Sequence, residues 1–245
     1  MGSTAVSVSA IIDGRRHNRD ALLAWEARRF SRAAAKIGLP APAGTLEQRR
    51  FAFADAKLAL GPEEIGRRLA REVKLGDLVA GTTARLSHGR RNLSMCHLHI
   101  TGGSAAEFRR WMLDTTRADF LRSMVAASPD HFLFRVGADG TQEVIETTGG
   151  SPLATRFFID LADTTGLTSV PHSDFPVRFA GAASTATGRA IGGVRHQFRD
   201  EPAGFHASLC VEFPRFLPPR MISQHRWHLA TEFANWIEFA FSRSG

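Results

Sequence analysis

Two pairs of residues carry most of the chemistry legible in this sequence. Near the C-terminus, His228-Leu-Ala-Thr-Glu232 sets an imidazole and a carboxylate four residues apart. On a helix that spacing stacks both side chains on one face, about one turn apart and within reach of a common ion. The neighbouring Trp227, Phe233, Trp236, Ile237 and Phe239 require much of the same helix to be buried, and a carboxylate buried among them needs a partner. The second pair, His131 and Glu146, flanks Gly137-Ala-Asp-Gly140. A hairpin turning on Ala138-Asp139 sets residue 136 opposite 141 and His131 opposite Glu146, on one face, with Cβ atoms roughly 5 Å apart. Either pair alone also matches an ordinary surface hydrogen bond. Together, two imidazoles and two carboxylates form a ligand set of borderline hardness, suited to Zn2+ and compatible with Mn2+ or Fe2+.

Other histidines are candidates for proton transfer or pocket lining. His97 and His99 lie two apart in a strand-like segment and so point the same way. Such a pair serves as metal ligands in cupin barrels, but no glutamate follows at cupin spacing, and lining a substrate pocket suits His99 better. Val194–Arg199 and Phe205–Phe213 form a second hairpin around Asp200–Gly204. A loop of that length puts His196 and His206 on one face with Phe198 and Ser208, which makes both histidines candidate acid/base groups and Phe198 a candidate wall residue. The glycine pairs at 102–103, 149–150 and 192–193 lack a phosphate-loop pattern. Ser94, Ser151 and Ser208 lack a nucleophile-elbow context, and Cys210 falls mid-strand, as core.

These residues need particular elements to position them. Met221–Phe241 has the pattern of a long amphipathic helix. Asn92–Thr101 alternates as a strand, and Ser104 caps a helix through Phe108, Trp111 and Met112, with Glu107 closing a capping box. A second helix is expected over 117–127, and weaker strands at 156–161 and 177–180. Asp20–Lys36 is helical in composition and stops at Gly38-Leu-Pro-Ala-Pro42. Pro62 opens a further helix to about Glu72, and from about residue 75 the texture turns toward strands. The whole predicts an α+β fold in which a long C-terminal helix lies across a curved antiparallel sheet. Residues 1–44 are expected to be an N-terminal helical extension, and 45–245 the main domain.

Composition narrows the partners. The 245 residues are 43% hydrophobic, enough for a real core, and carry a formal charge of +7. The arginines are dispersed in pairs along the chain rather than gathered in one patch, so no nucleic acid is expected. No apolar run approaches the ~20 residues of a bilayer span, and the first ten residues do not resemble a signal peptide. A cytoplasmic protein with no membrane partner is expected, free to form a homo-oligomer. Cys96 and Cys210 stand far apart and suggest no disulfide framework. There is no tyrosine.

Several segments resemble the 2,4-diacetylphloroglucinol hydrolase family, which includes phloretin hydrolase. They are Ser128-Pro-Asp-His131-Phe, Val-Ile-Glu146-Thr-Thr-Gly-Gly, Arg199-Asp-Glu-Pro-Ala-Gly204, His99-Ile-Thr-Gly-Gly-Ser with the Phe108/Trp111 helix, and His228-x-x-x-Glu232. The similarity spans roughly residues 90–240. It implies a START-like helix-grip fold holding zinc by His131, Glu146, His228 and Glu232. It also implies hydrolysis of a carbon–carbon bond between an acyl group and a polyhydroxylated aromatic ring. His172 falls roughly where the family has a pocket histidine, which makes it the first candidate general acid/base. Trp111 is what remains of the family's tryptophan-rich helix, as a substrate contact. The family meets its substrate's ring hydroxyls with tyrosine phenols, and their absence here shifts the expected substrate to a related aromatic, β-dicarbonyl or polyketide. A cyclase, isomerase or lyase on the same fold, and a non-enzymatic carrier of hydrophobic ligands, are the alternatives.

Overall fold

The computed structural model describes residues 6–149 and 151–242, so Gly150 of the second glycine pair lies outside the described residues. The period-two segments assemble into one nine-stranded sheet, in the order β2-β1-β3-β9-β8-β7-β6-β5-β4. The strands are β1 (Ser7–Ile12), β2 (Arg15–His17), β3 (Arg91–Thr101), β4 (His131–Val136), β5 (Gln142–Glu146), β6 (Thr155–Asp160), β7 (Val177–Ser184), β8 (Ala190–Glu201) and β9 (Gly204–Pro214). Every pairing is antiparallel. The helices are α1 (Arg19–Ala27), α2 (Phe30–Lys36), α3 (Leu46–Ser87), α4 (Ala105–Leu113), α5 (Phe120–Ala126) and α6 (Pro219–Phe241).

The expected α+β architecture, with a large antiparallel sheet and a long C-terminal helix, is present. Pro219 starts α6 from its first turn, where the missing N–H costs nothing. Leu229, Phe233 and Ile237 of α6 pack on Leu98 and Ile100 of β3 and on Ala207 and Leu209 of β9, forming the main core. A second core joins α2 and α3 to the opposite side of the β4–β5 hairpin through Phe30, Phe53, Leu69, Phe132 and Ile145. None of the described helices is long and apolar enough to cross a membrane. Cys96 and Cys210 are both free and buried.

The N-terminal segment departs from the expected helical extension. It opens with strands β1 and β2, and β1 pairs along its whole length with β3. Val8, Ala10 and Ile12 alternate inward, and Asp13 and Gly14 both adopt positive φ between the paired Ile12 and Arg15. An Asp-Gly turn of this kind is a hairpin signal, but the apolar run beside it is short and is held as strand by its pairing with β3. The expected helix over 20–36 forms as α1 and α2, broken at Arg28-Arg29.

The stretch after Glu72 is likewise not strand: α3 continues to Ser87, bent at Gly61 (φ 76°) before Pro62. Its glycines suggest helix breaking from the sequence alone, yet Gly76 serves close packing. A Cβ there would lie 2.6 Å from the Ala154 carbonyl oxygen. Ser104 caps α4 by accepting from the Glu107 N–H, and its hydroxyl donates to the Glu107 carboxylate at 2.8 Å.

Buried ion pairs fasten the helices together. Glu26 of α1 is fully buried and accepts two hydrogen bonds from Arg50 of α3, both at 2.6 Å, and one from Asn235 of α6 at 3.2 Å. Deleting one partner of such a pair leaves the other as an uncompensated buried charge, at a cost of about 3–5 kcal/mol. Glu26→Ala should therefore lower the denaturant midpoint by the equivalent of about 3–5 kcal/mol. A loss under about 1 kcal/mol would show that the pair does not join α1, α3 and α6.

Candidate metal centre

The hairpin expected to pair His131 with Glu146 does so by a different route. From Val136↔Gln142 to Leu133↔Ile145 the register is one residue off the expected one, and a bulge between His131 and Leu133 restores His131↔Glu146. In an unbroken strand, side chains alternate and His131 would face away from Phe134. The bulge sends Phe132 and Leu133 into the α2–α3 core, while His131 and Phe134 both line a cavity on the α6 side, with Val144 and Glu146 of β5. Re-aiming a side chain is what a bulge does physically.

Across the cavity, His228 and Glu232 come from α6 as the i, i+4 spacing requires. All four residues are buried, with 1% to 7% of their surface exposed. His131 Nε2 lies 2.9 Å from Glu232 Oε2, 3.5 Å from Glu146 Oε2 and 3.3 Å from His228 Nε2. His228 Nε2 lies 3.7 Å from Glu146 Oε1 and 3.5 Å from Glu232 Oε2. Ligands bound at ~2.0–2.2 Å around a tetrahedral ion stand ~3.3–3.6 Å apart. The observed separations bracket that edge, so the group is positioned to hold a metal ion.

The surroundings fix the ligands' orientation. His131 Nδ1 is 2.9 Å from the Met124 carbonyl, which can only accept, so Nδ1 carries a proton and Nε2 faces the centre. The buried Lys57 ammonium donates to the His131 carbonyl at 2.6 Å and to the Val125 carbonyl at 3.2 Å, tying β4 to the end of α5. Burial pulls that ammonium down to about 7, against the opposing pull of Asp130. Asp130 receives Arg29 at 2.7 and 2.8 Å and the Thr147 hydroxyl. Gly149, at φ 61°, passes so close that a Cβ would lie 2.6 Å from His228 Cβ. Trp25 of α1 meets the His228 ring edge-on at 6.3 Å. The N-terminal segment thus braces the back of the site.

The electrostatics of the four groups are strongly coupled. Burial raises the Glu146 carboxyl, but the hydrogen bond and charge of His228, with His131 behind it, outweigh this and hold it down to about 2. Burial likewise lowers His228, and Glu232 and Glu146 overcome it, raising the imidazole to about 9. His228 is therefore an imidazolium at neutral pH, and an ion held by these residues would displace its proton. His228 Nδ1 has no hydrogen-bond partner among the described residues.

The ligands open onto an apolar cavity of about 190 Å³, walled by residues such as Phe157, Phe179, Val211, Phe213 and Leu229. Two more histidines face it. His196 of β8, 4% exposed, packs against Phe233 at 4.6 Å, and its Nδ1 has no partner among the described residues. His225 of α6 is held by Ser94 Oγ, 2.8 Å from its Nδ1. Burial pushes both down to about 3, His225 with help from His228, so both stay neutral at physiological pH. His225 is not part of the i, i+4 pair legible in the sequence. His225, His228 and Glu232 follow the i, i+3, i+7 stripe that would have revealed it.

The other expected site residues lie elsewhere. The β8–β9 turn is tighter than the assumed loop: Glu201 pairs with Gly204 around Pro202-Ala203, so His196 faces Leu209 and Arg199 faces His206. A one-residue shift reverses the faces, placing His206 on the far side of the sheet beside its partner His99. His172 belongs to the loop between β6 and β7, where its side chain is 60% exposed and accepts from the Asp174 N–H at 3.1 Å. Phe198 is fully buried against Phe108 and Phe179, behind the cavity wall. Trp111 stacks on Phe108 beneath the Arg117 guanidinium. His99, His172, His206, Phe198 and Trp111 are all absent from the cavity lining.

A scan against protein-family models finds no match for the chain, and a search of curated proteins finds none either. The geometry carries the functional argument.

Because His228 titrates near 9 without an ion, adding Zn2+ to the metal-free protein at about pH 7.5 should release about one proton per ion. Calorimetry in buffers of different ionisation enthalpy measures this, and the release should fade as pH rises through the same value. Heats independent of buffer would contradict the buried imidazolium.

Proposed function

We propose that the protein is a zinc-dependent hydrolase on a START-like helix-grip fold. Its reaction would be cleavage of the carbon–carbon bond between an acyl group and a polyhydroxylated aromatic or β-dicarbonyl carbon. The observation that carries this reading is the junction of a buried two-histidine, two-glutamate cage with an apolar cavity that also presents two neutral imidazoles. Zinc suits the mixed nitrogen and oxygen ligands and the near-tetrahedral spacing, and when bound it supplies Lewis-acid polarisation of a carbonyl and activation of water.

The chain's own residues would do the rest. Phe179, Phe213 and Leu229 exclude water and receive the apolar part of the substrate. Hydrolysis adds hydroxide to the acyl carbon and a proton to the departing carbon, whose electron pair is stabilised as an enolate by the adjacent oxygens. A neutral imidazole can accept the proton of the attacking water and return it to that carbon. His196, whose buried Nδ1 has no partner among the described residues, is the first choice for this, and His225, oriented by Ser94, is the second. With no tyrosine in the chain, imidazoles and the Gln142 and Thr148 side chains that line the cavity take the place of phenols toward ring hydroxyls.

Incubation with acylated polyhydroxybenzenes and β-diketones should release one carboxylic acid per deacylated product, detected by chromatography. His196→Gln should keep the metal and lower kcat by about 10²–10⁴-fold, while His172→Ala leaves kcat unchanged. Absence of acid release across both substrate classes, or full activity in His196→Gln, would overturn the reading.

A further inference from the structure

The face of the sheet turned away from α6 carries a second group of ligand-type side chains that the proposed chemistry does not use. His99 of β3 and His206 of β9 are direct cross-strand partners. Their rings stack at 4.3 Å. Glu201, at the end of β8, reaches toward both: Oε2 lies 3.7 Å from His99 Nδ1 and Oε1 lies 3.7 Å from His206 Nδ1. That is too long for a hydrogen bond and close to the spacing of groups that share an ion. We propose that His99, Glu201 and His206 form a second site, for a divalent transition-metal ion held by three protein ligands with its remaining positions open to solvent.

Several observations support it. His206 is 92% buried, since only 8% of its surface is exposed, and its Nδ1 has no partner among the described residues. Its other nitrogen, Nε2, is 3.1 Å from His97 Nδ1. Donation from Nε2–H to His97 leaves the Nδ1 lone pair directed toward Glu201, the arrangement in which an outer partner fixes a ligand's tautomer. Two imidazoles and one carboxylate on one side of an ion are a recurrent set for first-row divalent metals. His99 and Glu201 are about a third exposed, which supplies the open side. Phe175 packs on His206 at 5.0 Å and shields it. Arg199 Nη2, 3.3 Å from Glu201 Oε1, competes with a cation and has to swing aside on binding.

The proposal is independent of the inner cage and can be tested beside it. Equilibrium dialysis of the full chain against Zn2+, with metal counted per chain, should give two equivalents. Glu201→Gln and His99→Ala, both at partly exposed positions, should each remove one equivalent and retain the other, which reports that the fold is intact. His97→Phe should keep both but weaken one by about 10–100-fold. A single wild-type equivalent that both variants abolish would support the outer site and remove the inner one. Zn2+ binding that neither Glu201→Gln nor His99→Ala diminishes would overturn the proposal.

Discussion

A one-residue bulge between His131 and Leu133 decides which side of the sheet receives the metal ligands. Strand side chains alternate with a period of two, so without the extra residue the His131 imidazole would enter the α2–α3 core and Phe132 would point at α6. The bulge puts Phe132 and Leu133 where apolar surface is needed and brings His131 opposite Glu146 in the cavity. Helix α6 then needs only its i, i+4 geometry to complete the cage. A bulge is a local distortion and is held by what surrounds it. Lys57 grips the His131 carbonyl, Met124 grips its ring, and Arg29 and Thr147 hold Asp130 one residue upstream.

Burial couples the four groups of the cage electrostatically. With the four groups removed from water, the His228 imidazole is held up by Glu232 and Glu146, and the Glu146 carboxyl is held down by His228. A divalent ion held by these residues would balance the charge of both carboxylates. The same burial keeps His196 and His225 neutral beside the cage, so the cavity combines a group positioned to hold an ion with two uncharged imidazoles. Two buried ion pairs lie behind it without placing another charge in the cavity: Glu26 with Arg50 joins α1 to α3, and Arg29 with Asp130 ties the α1–α2 junction to the start of β4.

The site was more legible in the sequence than the fold that positions it. The His228/Glu232 pair follows from helix periodicity, and the His131/Glu146 pair was reached although the hairpin register assumed for it was one residue off, because a bulge leaves no mark in an alternating pattern. The same kind of error went the other way in the second hairpin. A turn of two residues, rather than the longer loop expected, sends His196 and His206 to opposite faces. His172 failed for a different reason: loops have no periodicity from which a direction can be read. Strand β1 and the full length of α3 were hidden by tertiary context, since Gly76 looks like a breaker until its contact with Ala154 is known. The α+β class, the second hairpin and α6 were all clear, because long periodic segments leave little freedom.

The central claim is that His131, Glu146, His228 and Glu232 bind one ion together. Anomalous diffraction at the zinc edge, from crystals of protein purified without chelator, tests it directly. The account predicts a strong peak within about 2.0–2.3 Å of Nε2 of both histidines and of an oxygen from each glutamate. No peak at that point, with the four side chains in the same places, would contradict it.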